Sequence, residues 1–232
     1  VLRARLEDAR FFFDEDRKKK LEDFVDLLKG VTFQKTLGTS YEKVNRVVAI
    51  AESLAAEVCP DKIQLASRAA WLCKADLVTQ MVYEFPELQG IIGSYYADYS
   101  GEDPEVCLAI KEHYRPTFSK DDPPSSPLGS IVSIADKLDT ILGCIGVGLI
   151  PSGSEDPYGL RRHSLGIIQI VLKQEWQVSL DQFIAKGINL LKEKIKLPPS
   201  EVRAHTIDLF SQRYKTLLND QMQFSYSKNC VY

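Results

Sequence analysis

The chain has 232 residues, enough for one large domain or for one domain and part of a second. Apolar residues at 44% and charged ones at 26% exclude a disordered or fibrous chain and match an ordinary globular one. A net charge of −3 excludes a surface that is basic throughout, so a nucleic-acid contact would have to be a local patch.

Residues 2–29 carry apolar side chains at helical spacing (Leu2, Leu6, Ala9, Phe12, Phe13, then Leu21, Phe24, Val25, Leu28) and are predicted as one helical stretch closed by Gly30. Within it the basic run Arg17-Lys18-Lys19-Lys20 reads either as a solvated face or as a contact to RNA phosphates. A short extended piece at Val31-Thr32-Phe33 leads to Thr39 or Ser40, either of which suits a helix N-cap. Val44, Val47, Val48, Ala51, Leu54, Ala55 and Val58 then form a core stripe that Pro60 ends. The next helix, from about Asp61, places Leu65, Ala69, Leu72 and Cys73 on one face. Asp76, four residues after Leu72, falls on that same apolar face. A carboxylate there needs either a structural partner or a cavity, as the remnant of a site, because an unpaired buried charge is too costly.

A helix is predicted from Pro86 through Ile91, Ile92, Tyr95 and Tyr96, restarting with Asp103 as N-cap and Pro104 at its first position. His113, at the end of that helix, suits the negative end of the dipole. The segment from Lys120 to Pro127 reads as a rigid polar loop. The core helix that follows shows Ile131, Ile134, Ala135, Leu138, Ile141, Leu142 and Ile145 as an unbroken stripe. Asp136 and Asp139, three residues apart, project along its edge. Gly143, Gly146, Gly148 and Gly153 interrupt the chain after it. Their G-x-x-G-x-G spacing follows a helix rather than a strand, which points to close helix packing and not to a dinucleotide loop. Asp156-Pro157 is read as N-cap and first helical residue of a helix burying Leu160, Ser164, Ile167, Ile168 and Val171. Arg162, Gly166, Gln169 and Lys173 would face solvent. Ser179 caps a helix through Leu191, Leu197-Pro198-Pro199-Ser200 looks like a domain joint, and Val202, Thr206, Leu209, Phe210, Tyr214 and Leu217 form one more amphipathic helix. No strand pair and no internal repeat is expected: the fold class is all-α.

Cys59, Cys73, Cys107, Cys144 and Cys230 show no CxxC spacing, and three lie inside apolar helical patterns, which predicts free thiols in a reducing, cytoplasmic compartment. No apolar run reaches about 18 residues, so no membrane span is expected. The start inside a helix pattern without Met, and an end at Ser225–Tyr232 without a closing signal, suggest a piece of a longer polypeptide.

His113, His163 and His205 are far apart, and there is no zinc-type Cys/His spacing, no P-loop lysine and no nucleophile elbow. Asp136 and Asp139 could do acid/base work or form charge pairs, to Lys137 or to an arginine of the next helix. Arg161 and Arg162 lie in the first turn of a helix, where the dipole disfavours cations. Cations held there call for an anion: Asp136, Asp139 or a bound phosphate.

The phrases Arg3 to Phe12, Lys74-Ala75-Asp76-Leu77, Glu84 to Gly90, Glu112-His113-Tyr114, Ser126 to Gly129, Ala135 to Asp139 and Gly153 to Arg162 occur in an order that resembles the β subunit of bacterial heterotetrameric glycyl-tRNA synthetases. The resemblance implies that residues 1–197 are an HD-domain-like helical bundle. It implies that 198–232 are a linker and the truncated start of a helical anticodon-binding domain.

HD phosphohydrolases hold a metal with an early His, a His-Asp pair and a late Asp. Here Ser40-Tyr41-Glu42 stands at the early place and Lys74-Ala75-Asp76 at the pair, leaving Asp76 and Asp136 as vestiges. The family reading therefore expects no metal and no catalytic residue in this piece. ATP and Mg²⁺ would be used by the α subunit, and the partners would be tRNA(Gly), the α subunit and the rest of β. Candidate tRNA contacts are Arg161, Arg162, Lys74, Arg17, Lys18, Lys19 and Lys20. The alternatives are a residual metal-dependent phosphohydrolase and a pure protein–protein module gripping α.

Overall fold

The computed structural model describes the backbone of residues 2–229 and the side chains of 5–219; Cys230 to Tyr232 and the side chains of Leu2, Arg3 and Ala4 lie outside the described residues. The fold is all-α. Ten α-helices occur among the described residues: α1 (Leu2–Asp16), α2 (Ser40–Val58), α3 (Ile63–Leu72), α4 (Gln80–Glu84), α5 (Ile91–Tyr99), α6 (Pro104–Glu112), α7 (Pro127–Gly146), α8 (Leu160–Lys173), α9 (Leu180–Leu191) and α10 (Pro199–Asn229).

The organising element is α7. Every residue from Leu128 to Gly146 is buried, so this helix is enclosed on all sides rather than on one stripe. Helices α2, α3, α6, α8, α9 and α10 all pack against it. Its start is fixed by Ser126, whose hydroxyl accepts from Gly129 N at 3.0 Å, with Pro127 at the first position. Enclosure puts Asp136, Lys137, Asp139 and Thr140 into the interior instead of along a solvated edge.

The expected single helix over 2–29 is two elements. α1 ends at Asp16, and after a turn at Arg17–Lys20 a 3-10 helix runs Leu21–Gly30 with Leu21, Phe24, Val25 and Leu28 buried. The break is tertiary in origin. Asp16 turns inward, accepting from Gln80 N, Met81 N and the Tyr96 hydroxyl, each at 3.0 Å, and so caps α4. A short antiparallel pair, β1 (Thr32–Gln34) with β2 (Gly38–Thr39), corrects the expectation of no strand pair, β1 overlapping the expected extended piece; it frames the tight turn before α2. Thr39 is the N-cap of α2 in a reciprocal capping box with Glu42.

Two further corrections concern α6 and α8. His113 at the end of α6 is fully buried, and burial, helped by Lys74, holds its pKa well below 6.5; it is a neutral side chain and not a cation on the dipole. Gly166 is buried rather than solvated, because α8 crosses close to α7 and the Pro116 loop there. A Cβ at Gly166 would lie 3.2 Å from Pro116 and 3.3 Å from Lys137. The first three turns of α10 bury Val202, Thr206, Leu209 and Phe210 against the helices before them, beyond the Leu197–Ser200 joint.

Candidate functional site

The interior of the bundle holds a charge cluster built from four elements. α2 contributes Lys43 and Arg46, the turn after α3 contributes Lys74, the end of α6 contributes His113, and α7 contributes Asp136, Asp139 and Thr140; all are buried. Arg46 grips Asp139 with both arms, Nε to Oδ1 at 2.6 Å and Nη2 to Oδ2 at 3.1 Å. Lys43 sends its three donors to Asp139 Oδ2, Thr140 Oγ1 and the Asp136 carbonyl. Its ammonium also lies 3.0 Å from Asp136 Oδ1, near enough for charge pairing but without a hydrogen bond, since its donors are already used. Lys74 donates to Asp136 Oδ2 at 2.8 Å and to His113 Nε2 at 3.0 Å, and sits 3.8 Å over the Tyr114 ring. The His113 Nδ1 lies 2.6 Å from the Ile110 carbonyl, which sets that nitrogen as the donor and leaves Nε2 to accept from Lys74.

These contacts decide the protonation states. Burial pushes the Asp136 carboxyl up, but Lys43 and Lys74 outweigh it and hold the group well below the usual carboxylate range. Lys137, which neighbours both aspartates in sequence, pairs with neither. It donates to the His113, Tyr114 and Arg115 carbonyls and to Ser133 Oγ, and burial lowers its pKa to about 7. Asp76 is fully buried, and among the described residues no cation lies within ion-pair distance of it. Its Oδ2 accepts from Gly90 N at 2.6 Å and its Oδ1 has no partner, so burial lifts its pKa to about 6.

The cluster bears on a metal directly. A divalent ion at Asp136 would have to displace two ammonium groups already seated on its oxygens. Among the described residues no three His, Cys, Asp or Glu side chains converge as a metal set.

The surface candidates fall differently. Arg161 is half-buried and Arg162 exposed, and neither has a carboxylate within 4.0 Å among the described residues. The helix start is fixed from outside: Asp156 accepts from Leu160 N at 2.7 Å and Arg161 N at 3.0 Å, with Gly159 in the left-handed region at φ +64°. The N-cap is therefore Gly159, three residues later than expected, because the Asp156 side chain reaches over an intervening turn. Arg17 lies over Tyr99 at 3.9 Å and Phe13 at 5.1 Å, Lys18 pairs with Glu15, Lys19 lies 5.9 Å over Phe24, and Lys20 is exposed. Lys74 is buried, its ammonium committed to Asp136, which corrects its reading as a phosphate contact.

The residues that the sequence reading missed are Lys43 and Arg46, which complete the cluster. Lys43 stands four residues before Val47 and Arg46 four before Ile50, on the buried stripe of α2, and two cations on an apolar face were the available signal.

The family model described as glycyl-tRNA synthetase beta subunit matches residues 1–231. Proteins named glycine–tRNA ligase beta subunit are similar over nearly the whole chain. That of Geobacter sulfurreducens is 56% identical over 221 residues, that of Trichlorobacter lovleyi 54% over 217, and that of Syntrophotalea carbinolica 48% over 221. The alignments cover 94% to 95% of this chain but 32% of each relative, so the chain spans about a third of their length.

Proposed function

The chain belongs to the glycyl-tRNA synthetase beta subunit family, and from that premise we propose that this portion is a noncatalytic shoulder that positions tRNA(Gly) and supports assembly with the α subunit and the rest of β. The observation that carries the reading is the pair Arg161 and Arg162. Two guanidinium groups stand in the first turn of α8 without a carboxylate partner among the described residues, against a dipole that disfavours them by about 0.3–1 kcal/mol each. A phosphate backbone is the anion that suits a forked donor at such a place. The acidic balance of the whole chain fits contact at a few phosphates rather than broad electrostatic capture.

The buried cluster supports the noncatalytic half of the proposal. Lys43 and Lys74 supply the positive charge that an HD-type ion would bring, so the bundle keeps an HD-like shell with its centre neutralised from within. A phosphohydrolase reading would need the ion those lysines exclude. Glycine activation with ATP and Mg²⁺ then belongs to the α subunit, in the cytoplasm, and residues 198–232 open the next domain of the longer chain. Among the described residues no helix is long and apolar enough to cross a membrane.

The test is tRNA(Gly) affinity across a salt series, using the assembled α and full-length β subunits with Arg161→Ala and Arg162→Ala together. Binding should weaken about tenfold or more at ~0.1 M salt, and the slope of log affinity against log salt should fall by about 1.5, the share of two phosphates. Curves that superimpose on wild type would make both arginines structural.

A further inference from the structure

Beside the start of α8 two hollows of about 390 and 280 Å³ share Glu87, Gln89, Tyr114 and Thr117 and so form one trough, with Arg162 and His163 at its far end. Its size is that of a small-molecule site, for which about 300–1,000 Å³ is usual. Tyr114 makes a rigid floor: Lys74 lies 3.8 Å over its ring and the His113 ring centroid is 3.9 Å away.

Several surface charges are paired, as Lys62 with Glu105, Arg68 with Glu22 and Glu102, Lys194 with Glu42 and Arg203 with Asp181, while others, such as Lys20, are not among the described residues. Glu87, Gln89 and Arg162 make no side-chain hydrogen bond or ion pair among the described residues. The Nδ1 of the largely buried His163 also lacks a partner. An acceptor-only carboxylate, a two-way amide and a donor-only guanidinium thus converge unused on one trough.

We propose that this trough holds one unpaired nucleotide of an RNA, its phosphate on Arg162 and its base edge read by Glu87 and Gln89. The inference rests on the RNA-positioning reading above and gives that surface its ligand. A carboxylate accepts from the exocyclic amine of cytosine or the N–H groups of guanine, and an amide completes the edge. A carboxylate on the rim disfavours a purely anionic ligand and suits one with a phosphate at one end and donors at the other. Paired bases cannot turn an edge into such a trough, so the nucleotide comes from a single-stranded part of the RNA.

The experiment uses the assembled α and full-length β subunits and two probes, a tRNA(Gly) transcript and a blunt, fully paired RNA duplex of the same length. Gln89→Ala and Glu87→Ala should each weaken transcript binding about tenfold, roughly the worth of one good base contact, and leave duplex binding unchanged. Arg162→Ala should weaken both probes. Transcript binding unaffected by Gln89→Ala and Glu87→Ala, with Arg162→Ala still harmful, would overturn the nucleotide and leave the RNA-positioning reading standing. Indifference to all three and to the double arginine variant would overturn both readings. If the Gln89 and Glu87 variants weaken assembly with the α subunit instead, the trough is a protein contact and the nucleotide is overturned.

Discussion

Asp136 decides the chemistry of the interior, because among the described residues its carboxylate is the only anion facing Lys74 at hydrogen-bond distance. Asp136→Asn leaves that ammonium buried and uncompensated, which should destabilise the bundle by about 3–5 kcal/mol. Urea unfolding of this 232-residue chain, followed through Trp71 and Trp176, measures it; adding Lys74→Met should restore part of the loss. An unchanged midpoint for Asp136→Asn would mean that the pair carries no stability. His163 supplies a pH dependence. Burial sets its folded pKa at about 4, below the ordinary 6.5, so between these values the unfolded chain binds a proton that the folded chain refuses. Stability therefore falls as pH drops from 6.5 toward 4, by up to about 3 kcal/mol from this residue. His113 acts in the same direction, and Asp76, with its pKa raised to about 6, in the opposite one. The difference between wild type and His163→Gln isolates the one group: the wild type should lose more stability on acidification. At this scale Asp136 and Asp139 could be read from the sequence as carboxylates on a core helix, but their partners could not. Arg46 lies 93 residues from Asp139, and only folding brings them together.

Among the elements, α7 was legible as a core helix from its apolar stripe, while its complete enclosure was not. A stripe marks one face, and the other faces are covered by helices that the local pattern says nothing about. The same reason explains the break after α1. Residues 2–29 keep helical spacing throughout, and Asp16 ends the helix through contacts 64 to 80 residues away. The joint between α6 and α7 rests on Glu112, which accepts from the backbone and hydroxyl groups of both Ser125 and Ser126 at 2.6–3.0 Å. Glu112→Ala strands those donors and should cost about 2 kcal/mol locally. Hydrogen exchange at the first turns of α7 should then accelerate roughly thirtyfold, while α9 and α10 keep their rates. Equal rates in the mutant would show that the Ser126 cap and Pro127 fix that helix start alone.

For the molecule as a whole, the all-α architecture was readable because Pro and Gly punctuate helical stripes of ordinary length along the chain. Lys74 shows where such reading stops. Composition and position mark it as a basic residue near a helix end, and nothing local tells that it points inward. The protein is thus a helical body whose ionic centre is closed by its own lysines and which presents Arg161 and Arg162, without carboxylate partners among the described residues, at the head of α8. The most direct measurement is hydrogen exchange of the assembled full-length protein with and without tRNA(Gly). Protection should appear over Leu160–Ser164 and around Pro86–Gly90, leaving the amides of α7 as they were. Protection absent from the start of α8, with tRNA bound, would contradict the account.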